Sequence, residues 1–259
     1  MAELNIDVPH IARIYDYWLG GKDNFEADRK AAELAVAANP AITPGVRANR
    51  RFLGRAVRWM TEQGVTQFLD IGTGIPSANN THEVAQAVSP DCRVVYVDND
   101  PIVLNHARAL LTGAPGTIAY IDSDARDTGR ILAEAARTLD FGQPVGVMLI
   151  AILHCIPDED GPGDLVDTLM GAVKPGSFLA LTHPAIDQVP EAGARSQESL
   201  SRSLGMKVTY RTQAQVKGFF AGLSLREPGV VPVQAWHPDS DLDRDSDPTG
   251  MWGGVARKS

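Results

Sequence analysis

From residue 65 onward the chain alternates short apolar runs with helix-length segments, and this alternation limits the fold more than any other feature. The runs Thr66–Asp70, Val94–Asp98, Thr117–Asp122, Val145–Leu153 and Ser177–Thr182 read as strands. Helix starts stand between them: an Asn80/Glu83 capping box, Asp100-Pro101, Asp127 and Gly161-Pro162. Strands apolar on both faces and separated by helices predict a mostly parallel sheet covered on both sides, a three-layer αβα sandwich of the α/β class. A Thr212/Gln215 box opens a further helix to Phe220, and two strands follow, Ser224–Glu227 and Val230–Trp236. Pro228-Gly229 between them predicts a tight turn and an antiparallel pair, and the acidic stretch Asp239–Asp247 predicts a loop.

The first 62 residues have a different texture. Ile11, Ile14, Tyr15, Trp18 and Leu19 fall on one helix face, bounded by Pro9 and Gly20-Gly21. A second helix follows, capped by Asp23 or Asn24 and stopping near Pro40. A third runs from about Pro44 to Glu62, with an apolar side (Phe52, Leu53, Ala56, Trp59, Met60) and an arginine stripe of Arg47, Arg50, Arg51, Arg55 and Arg58. The expected organisation is a helical lid over 1–62 and a core over 63–259.

Composition narrows the function. With two cysteines, Cys92 and Cys155, and no CxxC, neither a disulfide framework nor a structural zinc site is expected. The longest apolar run, Val145 to Leu153, is too short to span a bilayer, and Glu3 and Asp7 interrupt any signal pattern, so a cytoplasmic protein is expected. A net charge of −8 disfavours nucleic acid as a partner and leaves a small-molecule substrate open. The arginine stripe reads as a solvated face, with binding of an anionic substrate or RNA as the alternative, and Arg47 or Arg50 could turn toward a ligand at the helix start.

Ligands of an open parallel sheet bind beyond the carboxyl ends of its strands. Here those ends carry Asp70-Ile71-Gly72-Thr73-Gly74, then Asp98-Asn99-Asp100, then Asp122-Ser123-Asp124, then His154. A dinucleotide fingerprint requires a third glycine where Ser77 stands, which opposes a nicotinamide-dependent oxidoreductase. Asp70 suits a cation, Asp98 can accept from two ribose hydroxyls, and Asp124 can accept from an exocyclic adenine amine. An adenosine with a positively charged tail, S-adenosyl-L-methionine, satisfies all three. Asp100 is explained by capping the next helix, and Asp122 and Asp127 by turns or caps.

Phe68 to Gly74, Val94 to Asp100 and Lys174-Pro175-Gly176-Ser177 resemble motifs of the class I, Rossmann-like S-adenosylmethionine-dependent methyltransferases. More specifically, Ala12-Arg13-Ile14-Tyr15-Asp16-Tyr17-Trp18-Leu19-Gly20-Gly21-Lys22-Asp23-Asn24 resembles the opening signature of an actinobacterial S-adenosyl methyltransferase family formerly catalogued as a domain of unknown function. The resemblance implies a seven-stranded sheet with a reversed last strand. It implies that Asp70, Gly72 and Gly74 surround the methionine part, Asp98 the ribose, and Asn99, Asp124 and Ala125 the adenine. Ile150 and Ala151 would then lie near the sulfonium. The signature has no counterpart in the general class and is expected to form a lid, with Tyr15, Gly20 or Lys22 near the ligand.

Three histidines have open roles. His154 is the candidate general base, since an imidazole titrates near neutrality, but it could instead pack under the adenine or satisfy a loop carbonyl. His183 invites the same reading, and His82 could reach the cofactor carboxylate or simply lie on a helix surface. The functions that follow are methyl transfer to a small-molecule acceptor, retention of the cofactor without turnover, or RNA methylation.

Overall fold

The computed structural model describes residues 5–103, 116–240 and 249–259. Helices α1 (Ile11–Leu19), α2 (Glu26–Ala38) and α3 (Ile42–Glu62) open the chain. Then come β1 (Gln67–Ile71), α4 (Thr81–Val88), β2 (Arg93–Asp98), β3 (Ile118–Asp122), α5 (Thr128–Ala135), β4 (Gly146–Ile150), α6 (Pro162–Ala172) and β5 (Phe178–Pro184). The chain finishes with α7 (Pro190–Leu204), α8 (Gln213–Gly218), β6 (Ser224–Leu225), β7 (Val231–Pro232) and β8 (Met251–Arg257). Of the helix expected after Asp100-Pro101, residues 101–103 are helical; the rest of that expectation lies outside the described residues, as does the acidic stretch from 241 to 247.

The sheet order is β3-β2-β1-β4-β5-β8-β6, with β7 also paired to β8. The first five strands are parallel and β8 runs antiparallel to β5, which gives the reversed last strand that the resemblance implies. The expected hairpin does not form. β6 and β7 pair with β8, at Arg257-Ala256 and Gly253-Trp252 respectively, rather than with each other.

Alternate residues of each strand serve opposite layers, as a period of two requires. Leu69, Ile71, Val95 and Val97 pack with α5, α6 and α8, whereas Phe68, Val94 and Tyr96 pack with α3 and α4. Helix α3 therefore belongs to one layer of the sandwich, although it lies within the first 62 residues. A separate apolar cluster joins Ile14 and Trp18 of α1, Ala31, Ala32 and Ala35 of α2, and Leu200 of α7. The cap thus draws one helix from beyond β5.

The arginine stripe is not one solvated face. Arg55 is buried and donates to the carbonyls of Val233 and Trp236, at 2.7 and 2.9 Å. Arg50 reaches Asn80 Oδ1 at 2.7 Å, while Arg47, Arg51 and Arg58 are exposed. No helix among the described residues is long and apolar enough to cross a membrane.

Candidate cofactor site

The floor of the site is built where β1 and β2 end. Thr81, on the first turn of α4, donates its hydroxyl to Asp70 Oδ2 at 2.6 Å. Burial pushes the Asp70 carboxyl up to about 6; the Thr81 bond and Arg50 oppose the shift, and nearby Asp98 adds to it. The chain then turns through Gly72 and Gly74, at φ +71° and +67°, a region that favours glycine. A Cβ on Gly72 would lie 2.6 Å from Ile152 Cδ1, so this position is closed to a side chain twice over. Asp98 accepts from the Gly74 amide at 2.8 Å and from the Asp100 amide at 3.0 Å, and burial still raises its pKa. Two carboxylates are therefore locked, side by side, in a place where ionisation is disfavoured.

Asp70, Gly72, Gly74 and Asp98 line one cleft together with Asn99, Asp124, Ala125, Ile150, Ala151 and Tyr15. Asp124 stands at the rim with both oxygens held by Arg126, Nε at 2.9 Å and Nη2 at 2.7 Å, and this pairing lowers its pKa. The carboxylate expected to read an adenine amine is thus already engaged by a cleft arginine that the sequence reading missed. Ala151 holds φ +52°, unusual for a residue with a Cβ, and its amide donates to Thr182 Oγ1 at 3.0 Å.

The roof is α1. His10, Ile11 and Ala12 line the cleft beside Tyr15, and none of these three was anticipated. The Tyr15 hydroxyl accepts from Asn49 Nδ2 at 2.9 Å. Gly20 and Lys22 do not line the cleft: Gly20 caps α1 at φ +85°, and Lys22 is exposed. Much of the signature holds itself together. Asp16 is buried and accepts from the Asp23 amide at 3.0 Å and from Asn24 Nδ2 at 2.8 Å; a Cβ on Gly21 would run into its carboxylate. Asp23 and Asn24 therefore do not cap α2, which starts after Phe25 with Asp28 accepting from the Phe25 amide at 2.8 Å.

Asp100 does more than cap a helix. It accepts from the Ile102 amide at 2.7 Å, lies 2.8 Å from His10 Nδ1 and lies 3.3 Å from Arg13 Nε. Burial would raise its pKa, but the His10 contact, the Ile102 amide and Arg13 outweigh burial and leave it lowered. This cluster fastens α1 to the end of β2.

The histidines separate. His82 packs on Tyr96, its Nδ1 2.7 Å from the phenol oxygen, and does not line the cleft. His183 is consumed on both nitrogens, by Pro184 O at 2.9 Å and Arg211 Nη1 at 2.8 Å, so it is no free base. His154 sits in a 3-10 turn just after β4 and lines a smaller cavity behind Ala151, not the main cleft. Burial, with Arg211 adding, lowers its pKa to about 4.

The residues fit the cofactor they were expected to hold. A cation relieves the strain of two buried carboxylates, and the glycine turn leaves open space at Gly74, where a Cβ would meet nothing within 4 Å. Comparison with known proteins agrees. The profile of a family described as S-adenosyl methyltransferase matches residues 1–259. A DUF574 family protein of Streptomyces avermitilis superposes with a TM-score of 0.95 at 42% identity, over 99% of this chain and 100% of that one. A candidate methyltransferase from Thermobifida fusca does so with a TM-score of 0.93 at 39% identity, over 98% and 97%. An O-methyltransferase family protein of Burkholderia thailandensis, 14% identical with a TM-score of 0.53 over 90% of this chain and 59% of that one, shares the fold. No curated protein is similar enough to count as a match. The chain belongs to the S-adenosyl methyltransferase family and is an S-adenosylmethionine-dependent methyltransferase of Rossmann-like fold.

Proposed function

We propose that the enzyme methylates a small molecule, with the cofactor lying along the cleft between the sheet ends and α1. The observation that carries this reading is the buried pair Asp70 and Asp98 at adjoining strand ends of one cleft. Asp98 holds the ribose through lone pairs left over from its two backbone bonds, and Asp70 faces the cationic methionine part. Asn99 and Ala125 flank the adenine, with Asp124 at the rim acting jointly with Arg126. Ile150 and Ala151 border the sulfonium end, and Tyr15 closes the roof.

The bound cofactor supplies an electrophilic methyl group. In-line transfer depends on alignment and exclusion of water, so the chain contributes mainly a shaped, dry site. In this reading the lid expected over residues 1–62 narrows to α1 and α2, with α1 over the ligand, while α3 belongs to the sandwich and lends Arg50 and Leu53 to the cleft wall. His154, uncharged at neutral pH and lining the smaller cavity behind Ala151, is the candidate to take a proton from the acceptor.

The test is transfer of labelled methyl from S-adenosylmethionine to a panel of small phenols, alcohols and amines beside total RNA. Label in a small molecule is expected. Label that appears only in RNA would overturn the reading.

A further inference from the structure

Behind Ala151 lies a second, smaller cavity that shares Ile11, Tyr15 and Ala151 with the cofactor cleft. Its walls come from the cap and the sheet end: Trp18, Ile42, Val46, Leu200 and Met251 are apolar, and Tyr15 and Tyr210 add aromatic rings. Among the described residues that line it there is no Asp, Glu, Lys or Arg.

Its polar groups are almost all used elsewhere. The Tyr15 hydroxyl is bonded by Asn49, and the Tyr210 hydroxyl by Ser196. Asn39 Oδ1 accepts from the Ala41 amide at 3.1 Å, and Thr249 Oγ1 donates to Gln234 Oε1 at 3.1 Å. His154 Nδ1 is different. It is buried and has no hydrogen-bond partner among the described residues, a costly condition unless a ligand supplies one.

Resting on the cofactor placement above, we infer that this cavity is the acceptor site, and that the acceptor is a neutral ring compound whose hydroxyl hydrogen-bonds His154 Nδ1. The uncharged walls reject carboxylates, phosphates and ammonium compounds, because such groups would be desolvated without a counter-charge. Methylation of that hydroxyl breaks one O–H bond and forms one O–C bond. The electrons of the broken C–S bond stay on sulfur, and the proton passes to Nδ1. A histidine so depressed is a weak base, which favours a phenol or enol over an aliphatic alcohol.

The experiment is ligand-observed NMR with phenol, toluene, benzoate and benzylamine as probes, in the presence of saturating S-adenosylhomocysteine. Phenol is expected to bind, with benzoate and benzylamine at least about tenfold weaker. His154→Phe keeps the ring and removes the nitrogens, so it should weaken phenol about tenfold and leave toluene unchanged. Val46→Phe should fill the cavity and abolish phenol binding while the affinity for S-adenosylhomocysteine persists. If Val46→Phe does not fold, half-buried Ile42 changed to Phe replaces it. Benzoate or benzylamine binding as well as phenol, or phenol surviving the filled cavity, would overturn the inference. Loss of S-adenosylhomocysteine binding in the wild type would instead strike the cofactor placement.

Discussion

The floor and the roof of the cleft are both built from distinctive sequence, yet they use it in opposite ways. On the floor, Asp70 and Asp98 are each fixed by a few short bonds and still line the cleft. On the roof, Asp16, Asp23, Asn24 and Gly21 are spent on one another, and Arg13 on Asp28 and Asp100. Only Tyr15 and Ala12 of the signature line the cleft. A highly specific motif can therefore specify a support, while a less specific glycine loop specifies the contact.

The comparison predicts that changes in the roof damage stability, whereas changes in the floor damage binding. Arg13→Ala should have the largest effect. It leaves the buried Asp28 and Asp100 carboxylates without their cation, at a cost of about 3–5 kcal/mol of stability. An unchanged denaturation midpoint would show that the fastening is idle. Gly21→Ala, which drives a methyl group into Asp16, should cost about 1–3 kcal/mol in the same assay. Its cofactor affinity should fall only as far as α1 loosens.

On the floor, Asp98→Asn, which keeps one acceptor oxygen for the Gly74 and Asp100 amides, should change the melting profile little and weaken cofactor binding by about 1–3 kcal/mol, read by calorimetry. Wild-type affinity in this variant would remove Asp98 from the ribose. Acidity should sharpen the contrast. Because burial raises Asp70 above its unfolded pKa, the contribution of this residue to the stability of the free protein is full at low pH and declines as pH rises through about 6. Cofactor binding has the opposite slope, since a cation needs the ionised carboxylate. S-adenosylmethionine affinity should fall by up to about tenfold per pH unit below about 6, and Asp70→Asn should flatten that dependence. The smallest effect is expected at exposed Lys22, where Ala should change stability and affinity by less than about 0.5 kcal/mol. A tenfold loss of affinity would return Lys22 to the ligand.

The strand-ended acids were legible because a parallel sheet gathers its carboxyl ends in one place, whatever the intervening loops do. The caps were legible because they are local: Asn80 with Glu83 and Thr212 with Gln215 form as written. Helix α7 was missed because it packs through Gly193 and Ser196 as well as Leu200, which makes no apolar stripe. Strand β8 was missed because Gly253 and Gly254 argue against a strand. Both are needed there: a Cβ on Gly253 would lie 2.9 Å from Val233, and one on Gly254 3.2 Å from Val230. His10 meets Asp100 across a long stretch of chain, and nothing in its local sequence announces that contact; Arg126 engages Asp124 only two residues away, but an Asp and an Arg so spaced are common in turns and do not by themselves mark a site.

The most direct measurement is calorimetric titration of the purified protein, stripped of any co-purified ligand, with S-adenosylmethionine, S-adenosylhomocysteine and NAD. Binding of the first two at one site per chain, with NAD silent, is the predicted result. NAD binding, or no binding of either adenosyl compound, would contradict the assignment of the Asp70–Asp98 cleft.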